Sequence, residues 1–127
     1  MLPTTFEEAC ASRGYDSATV LPDVSKFPVK HQKAITAYAM LVIIAESINE
    51  GHEPDWNDRS ERKWIPWFDM EVDKNNPSGF RCDGADYDYT ATSSAGGSRL
   101  CFRSEESCEY AATKFIDLWR DMMVILK

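Results

Sequence analysis

The residues able to do chemistry are scattered along this chain, and their spacing decides against most reactions. Asp69, Glu71, Asp73 and Asn75 alternate like the first ligands of a calcium loop. The sixth position, however, is Lys74 in place of glycine and the twelfth is Phe80 in place of a bidentate glutamate, which excludes an EF-hand. Asp83, Asp86 and Asp88 crowd three carboxylates together, yet on a strand Asp83 faces away from the other two, so a solvated face explains them better than a hard-metal site. Nucleophilic catalysis needs a base beside the nucleophile, and the only histidines are His31 and His52. Neither lies in a motif with Cys10, Cys82, Cys101, Cys108 or a serine. Gly96-Gly97-Ser98-Arg99 resembles a phosphate loop only superficially, because the Walker spacing and its lysine are missing and a strand follows where a helix should. Arg99 and Arg103 precede a helix start at Ser104 and could hold an anion there, although Glu105 and Glu106 already fill that role. No cofactor and no metal are expected.

What remains is aromatic. Trp56, Trp64, Trp67, Phe68, Tyr87 and Tyr89 crowd one region, and half of them are needed as core. Because strands alternate, the other rings must face outward, and an outward aromatic cluster on an acidic protein marks an interface more often than a catalytic site.

The elements that must position these residues can be placed from pattern. Thr5-Phe6-Glu7-Glu8 is a capping box, and Gly14 stops the short helix of about residues 6–13, whose Phe6, Ala9 and Cys10 share a face. Pro28 suits a first helical position, opening a long central helix of about 28–50 closed by Gly51. Its residues Ala34, Ala37, Leu41, Ile44 and Ile48 form one apolar stripe, with Ile35, Tyr38, Val42 and Ala45 beside it. Lys30 and Lys33 near its start and Glu46 and Glu50 near its end oppose the helix dipole, which predicts that they pair with neighbouring segments. The stretch from Trp64 to Glu106 organises the whole: a three-stranded antiparallel meander over about 63–70, 80–90 and 98–103. Pro66 puts the first strand at an edge or in a bulge. Turn residues Asp73 to Gly79 form the first link, and the small-residue loop Ala91 to Gly97 forms the second, mobile at its tip. Ser104 then caps a C-terminal helix of about 105–126 with the stripe Cys108, Ala111, Phe115, Leu118, Met122 and Ile125. The order predicts an α+β domain, an antiparallel sheet covered on one face by helices.

Composition sets the limits. At 127 residues and 43% hydrophobic the chain is expected to form a single globular domain, 1–127. Twenty-one acidic against fourteen basic residues give a formal charge of −7, which repels phosphate backbones, so no nucleic-acid partner is expected. The longest apolar run, Ala37 to Ala45, falls short of the roughly 20 residues of a membrane span, and Pro3 with two glutamates stands where a signal peptide needs an apolar segment. Four cysteines without zinc spacing suggest reduced, mostly buried thiols in a cytoplasmic setting, with a Cys82 to Cys101 cross-strand pair conceivable.

Several strings carry a resemblance over nearly the whole chain. They are Thr5-Phe6-Glu7-Glu8-Ala9-Cys10, Asn49-Glu50-Gly51, Pro54-Asp55-Trp56-Asn57, Trp64-Ile65-Pro66-Trp67-Phe68, Ser78-Gly79-Phe80, Asp86-Tyr87-Asp88-Tyr89 and Ser98 to Glu106. In these the chain resembles a family of small uncharacterised proteins from gut Bacteroides species and their phages or prophages. Gly96 stands where a larger residue is expected, loosening that loop. The resemblance implies a phage or mobile-element accessory protein, cytoplasmic in a bacterial cell or virion-associated. It supplies no activity, so no site residue carries over.

The expectation is therefore a non-enzymatic module that binds a protein partner or forms a homo-oligomer through an aromatic sheet surface. The alternative is a small-ligand or nucleotide-binding protein that stacks on the aromatics and uses Arg99 or Arg103 for an anion. A third reading is an acidic inhibitor of a host or defence protein.

Overall fold

A computed structural model describes residues 1–71, 75, 79–94 and 96–125. Its described elements are helix α1 (Phe6–Arg13), helix α2 (Val29–Ile48), strand β1 (Lys63–Asp69), strand β2 (Arg81–Asp88), helix α3 (Glu105–Lys114) and helix α4 (Ile116–Met123). The class is α+β, as the sequence predicts, with an antiparallel β1/β2 pair.

α1 starts where the Thr5 hydroxyl accepts from the Glu8 amide at 3.1 Å. The Glu8 carboxylate reaches one residue further back than a capping box requires, accepting from the Thr4 amide and hydroxyl. Those bonds hold its carboxyl below the usual range. Gly14 takes the left-handed conformation that ends the helix, at φ 78°. Pro28 lies one position outside α2, as its N-cap. The first predicted stripe of α2 is buried from Ala37 through Ile48, whereas the second opens to solvent at Tyr38. Of its awkward charges, Glu46 pairs with Arg13 at 3.2 Å and accepts from the Tyr15 hydroxyl at 3.0 Å.

The third strand is a correction. Residues 98–103 do not extend the sheet as a meander beyond β2; they return to the opposite side of β1, where Trp64 and Phe102 form a single antiparallel bridge. Trp64 donates to Phe102 O at 2.9 Å and Phe102 donates to Trp64 O at 2.8 Å. The next donor on that side of β1 would be residue 66, and Pro66 has no amide hydrogen, so the ladder stops after one rung. On the other side Ser104 already caps α3. Pro66 also begins the register irregularity of the β1/β2 pair, since Pro66 faces Ala85 and Phe68 faces Cys82. Two β2 residues, Asp83 and Gly84, therefore oppose Trp67, and Gly84 takes φ 104° there.

Both outer edges of this small sheet are closed by side chains. Because Trp64 spends both backbone groups on Phe102, the amide of Tyr87 opposite it points away from β1, and it donates to Asp86 Oδ1 at 2.8 Å. Beyond Phe102, the Asn49 side chain donates to Cys101 O at 2.9 Å and accepts from the Arg103 amide at 3.3 Å, the two bonds a neighbouring strand would make.

The predicted single C-terminal helix is a second correction, since it breaks at Phe115 (φ −112°, ψ 31°) and ends at Met123, with Val124 extended. An unbroken helix would bury Leu118, Met122 and Ile125 in one stripe with Phe115. After the break Trp119 is the buried residue, donating from Nε1 to Ala111 O at 3.1 Å, while Ile125 is exposed. The break lets α3 pack on the strands while α4 packs on α2. Leu126 and most of the predicted 73–79 turn lie outside the described residues. One apolar cluster joins α1, α2, α3, α4 and the strands through residues such as Phe6, Leu41, Ile44, Phe102, Phe115 and Trp119.

Candidate functional site

The predicted aromatic group is divided among four places. Phe68 is drawn inward, its ring stacked on Phe80 at 4.9 Å and tilted against Trp119 at 5.3 Å. Trp64, Tyr87 and Tyr89 form a short row, with centroids 4.9 Å and 5.3 Å apart and edge-on geometry. The Arg62 guanidinium lies 4.7 Å from the centre of the Tyr87 ring. Trp56 donates from Nε1 to Ser98 Oγ at 2.8 Å and packs its ring beside the Lys63 ammonium. Trp67 stands apart, 57% exposed. Trp64 and Phe68 occupy the core side of β1 and Trp67 the other, so these rings do not make one continuous face.

Two concavities lie at opposite ends of β1. Near Pro66 a largely apolar groove of about 260 Å³ is lined by Tyr38, Ile65, Pro66, Phe68, Leu100, Trp119, Met122 and Met123, with Ser94 and Gly96 of the 91–97 loop. Tyr38 and Met123 on its rim are 41% and 37% exposed. Trp67 follows on the same strand face as Ile65.

Near Lys63 the surroundings are polar. Lys63 is only 1% exposed, and its ammonium donates to Asp58 O at 3.1 Å and Tyr89 O at 2.5 Å and lies 3.5 Å from Glu61 Oε1. These bonds tie the 52–61 linker to the end of β2. Glu61 also accepts from the Asp55 amide at 2.8 Å and meets His52 Nε2 at 3.0 Å. Burial works to raise the Glu61 carboxyl, but the Asp55 amide, His52 and Lys63 together hold it below its usual value. Asp88, opposite Lys63 in the ladder, keeps Oδ2 buried with no hydrogen-bond partner among the described residues. The linker leaves α2 through Glu50 and Gly51, both left-handed at φ 52° and 77°. A side chain on Gly51 would collide with the Arg13 guanidinium.

Above this hub is a cavity of about 450 Å³, lined among others by Arg62, Trp64, Arg103, Glu105 and Glu106. An adjoining cavity of about 500 Å³ shares Asn49, His52 and Pro54 with it and contains Arg13 and Arg99. The structure thus places Arg99 and Arg103 in neighbouring cavities. Sequence pattern did not mark Asn49, Glu61 or Lys63, since each is a single polar residue without periodicity. The one available signal was a lysine at the head of an aromatic strand.

Cys10, Cys101 and Cys108 are buried thiols. Burial pushes Cys101 up to about 11, helped by the Glu61 charge, and pushes Cys108 up further. All four cysteines are free, and β1 lies between the segments carrying Cys82 and Cys101. Among the described residues no group of three or more His, Cys, Asp or Glu is arranged to hold a metal ion. No helix is long and apolar enough to cross a membrane. No family model matches this chain, and no curated protein or solved structure matches it.

Proposed function

We propose that this chain is a non-enzymatic interaction module whose contact surface is the apolar groove between α2, α4 and β1. The observation that carries this reading is the exposure of Tyr38 and Met123 on the rim of a groove floored by Phe68 and Trp119. Adaptable methionines beside rigid rings suit the side chains of a partner segment. A net charge of −7 disfavours a second copy of the chain and favours a protein whose contacting segment carries basic residues beside its apolar anchors. An acidic inhibitor covering a basic site on a host or defence protein is one form of this activity. The resemblance to Bacteroides and phage proteins supports a mobile-element accessory role inside a bacterial cell or on a virion.

The test is selection of random peptides on the purified protein. Apolar peptides with basic flanks are expected, and Met123→Glu should weaken their binding at least about tenfold without moving the thermal midpoint. Selected binders indifferent to Met123→Glu, or no binders at all, overturn the proposal.

A further inference from the structure

The cavity at the Lys63 end of β1 calls for a different kind of ligand, and we infer that it binds a small zwitterion of amino-acid size. Most of its polar lining is already committed. Asn49 uses both ends of its amide on the 101–103 backbone. Lys63 and His52 are held by Glu61, and Ser104 accepts from the Ser107 amide at the head of α3. Arg62 is engaged by the Tyr87 ring, so the charges left over are Arg103 of one sign and Glu105 and Glu106 of the other. Among the described residues Glu105 and Glu106 form no ion pair, and Arg103 meets only Glu50, at 3.6 Å, with the Glu50 side chain largely in solvent. One guanidinium and two carboxylates therefore flank a single cavity without pairing with each other, in a chain with a strong acidic excess.

Each half of that lining selects against a simple ion. A lone anion drawn to the Arg103 fork meets Glu105 and Glu106, and a lone cation drawn to the glutamates meets Arg103. A molecule carrying a carboxylate and an ammonium satisfies both. The volume of about 450 Å³ lies within the range of small-ligand sites, and Trp64 and Pro54 give it an apolar wall. The adjoining cavity, where Arg99 makes no ion pair among the described residues, offers space for a longer side chain.

Titration of the full chain with the twenty α-amino acids, followed by amide chemical shifts, tests this. At least one is expected to saturate the residues around the cavity with Kd at or below about 1 mM, and its N-acetyl and carboxamide derivatives should each bind at least about tenfold more weakly. Arg103→Gln should weaken the amino acid while leaving the residual binding of its carboxamide unchanged. The Glu105→Gln and Glu106→Gln pair should do the same with respect to the N-acetyl derivative. All three side chains are exposed and the Ser104 cap is retained, so the spectrum itself reports that the fold survives. No saturation up to about 10 mM overturns the inference, as does equal binding of either blocked derivative, which would make this an anion or a cation site.

Discussion

The two ends of β1 are held by opposite means. At Phe68 the strand is fixed by rings, Phe80 and Trp119 closing over it from β2 and α4. At Lys63 it is fixed by polar groups, a buried ammonium shared between two carbonyls and a carboxylate, with the Asn49 amide standing in for a missing strand. Non-directional packing tolerates adjustment and leaves an apolar groove beside it. Directional bonding fixes a backbone in place and leaves unneutralised charge at its margin. The same strand thus borders an apolar groove at one end and a polar cavity at the other.

The strongest way to break this comparison is at the apolar end. Trp119→Ala should cost about 4 kcal/mol in urea unfolding, because the indole is 3% exposed and its removal leaves a cavity. Trp67→Ala, on the solvent side of the same strand, should stay within about 0.5 kcal/mol. A similar loss at both positions would mean that Trp67 is part of the interior. At the polar end, Lys63→Met keeps the length of the side chain but strands the Asp58 and Tyr89 carbonyls and the Glu61 carboxylate. A loss of about 3 kcal/mol is expected, and an unchanged stability would show that the ammonium contributes nothing net. The smallest effect is one of pH. A carboxyl held low in the folded state stabilises above its unfolded value and loses that contribution as pH falls through the folded value. Stability should therefore decline below about pH 4.5, the ordinary value for Glu61, and Glu61→Gln should flatten that slope. An identical slope in the variant would remove Glu61 as its source.

Local and periodic features were legible in the sequence: the Thr5 cap, the first stripe of α2, the Pro66 irregularity and the Ser104 helix start each follow from a spacing or a backbone restriction. The sheet order was not, because a strand's own pattern does not say which edge receives it. That depended on where Trp64 spends its backbone groups and on Asn49, distant in sequence, covering the far side. The break at Phe115 was hidden because Cys108, Ala111 and Phe115 continue smoothly into Leu118 and Met122 when one period is assumed. The indole of Trp119, which needs an acceptor once buried, takes Ala111 O across the break. The aromatic surface was overdrawn for a related reason: counting rings does not reveal that Trp56 serves a lysine and Phe68 the interior.

The carboxylate of Asp86 on the Tyr87 amide has a consequence for behaviour in a crowded cell. A foreign chain arriving alongside β2 at Tyr87 would find that donor already engaged and would meet the exposed Asp86 carboxylate. Cross-β polymer growth needs an open template on the molecule being added to, and this flank offers none at Tyr87. A strand adding at that point would first have to displace the Asp86 carboxylate from the Tyr87 amide.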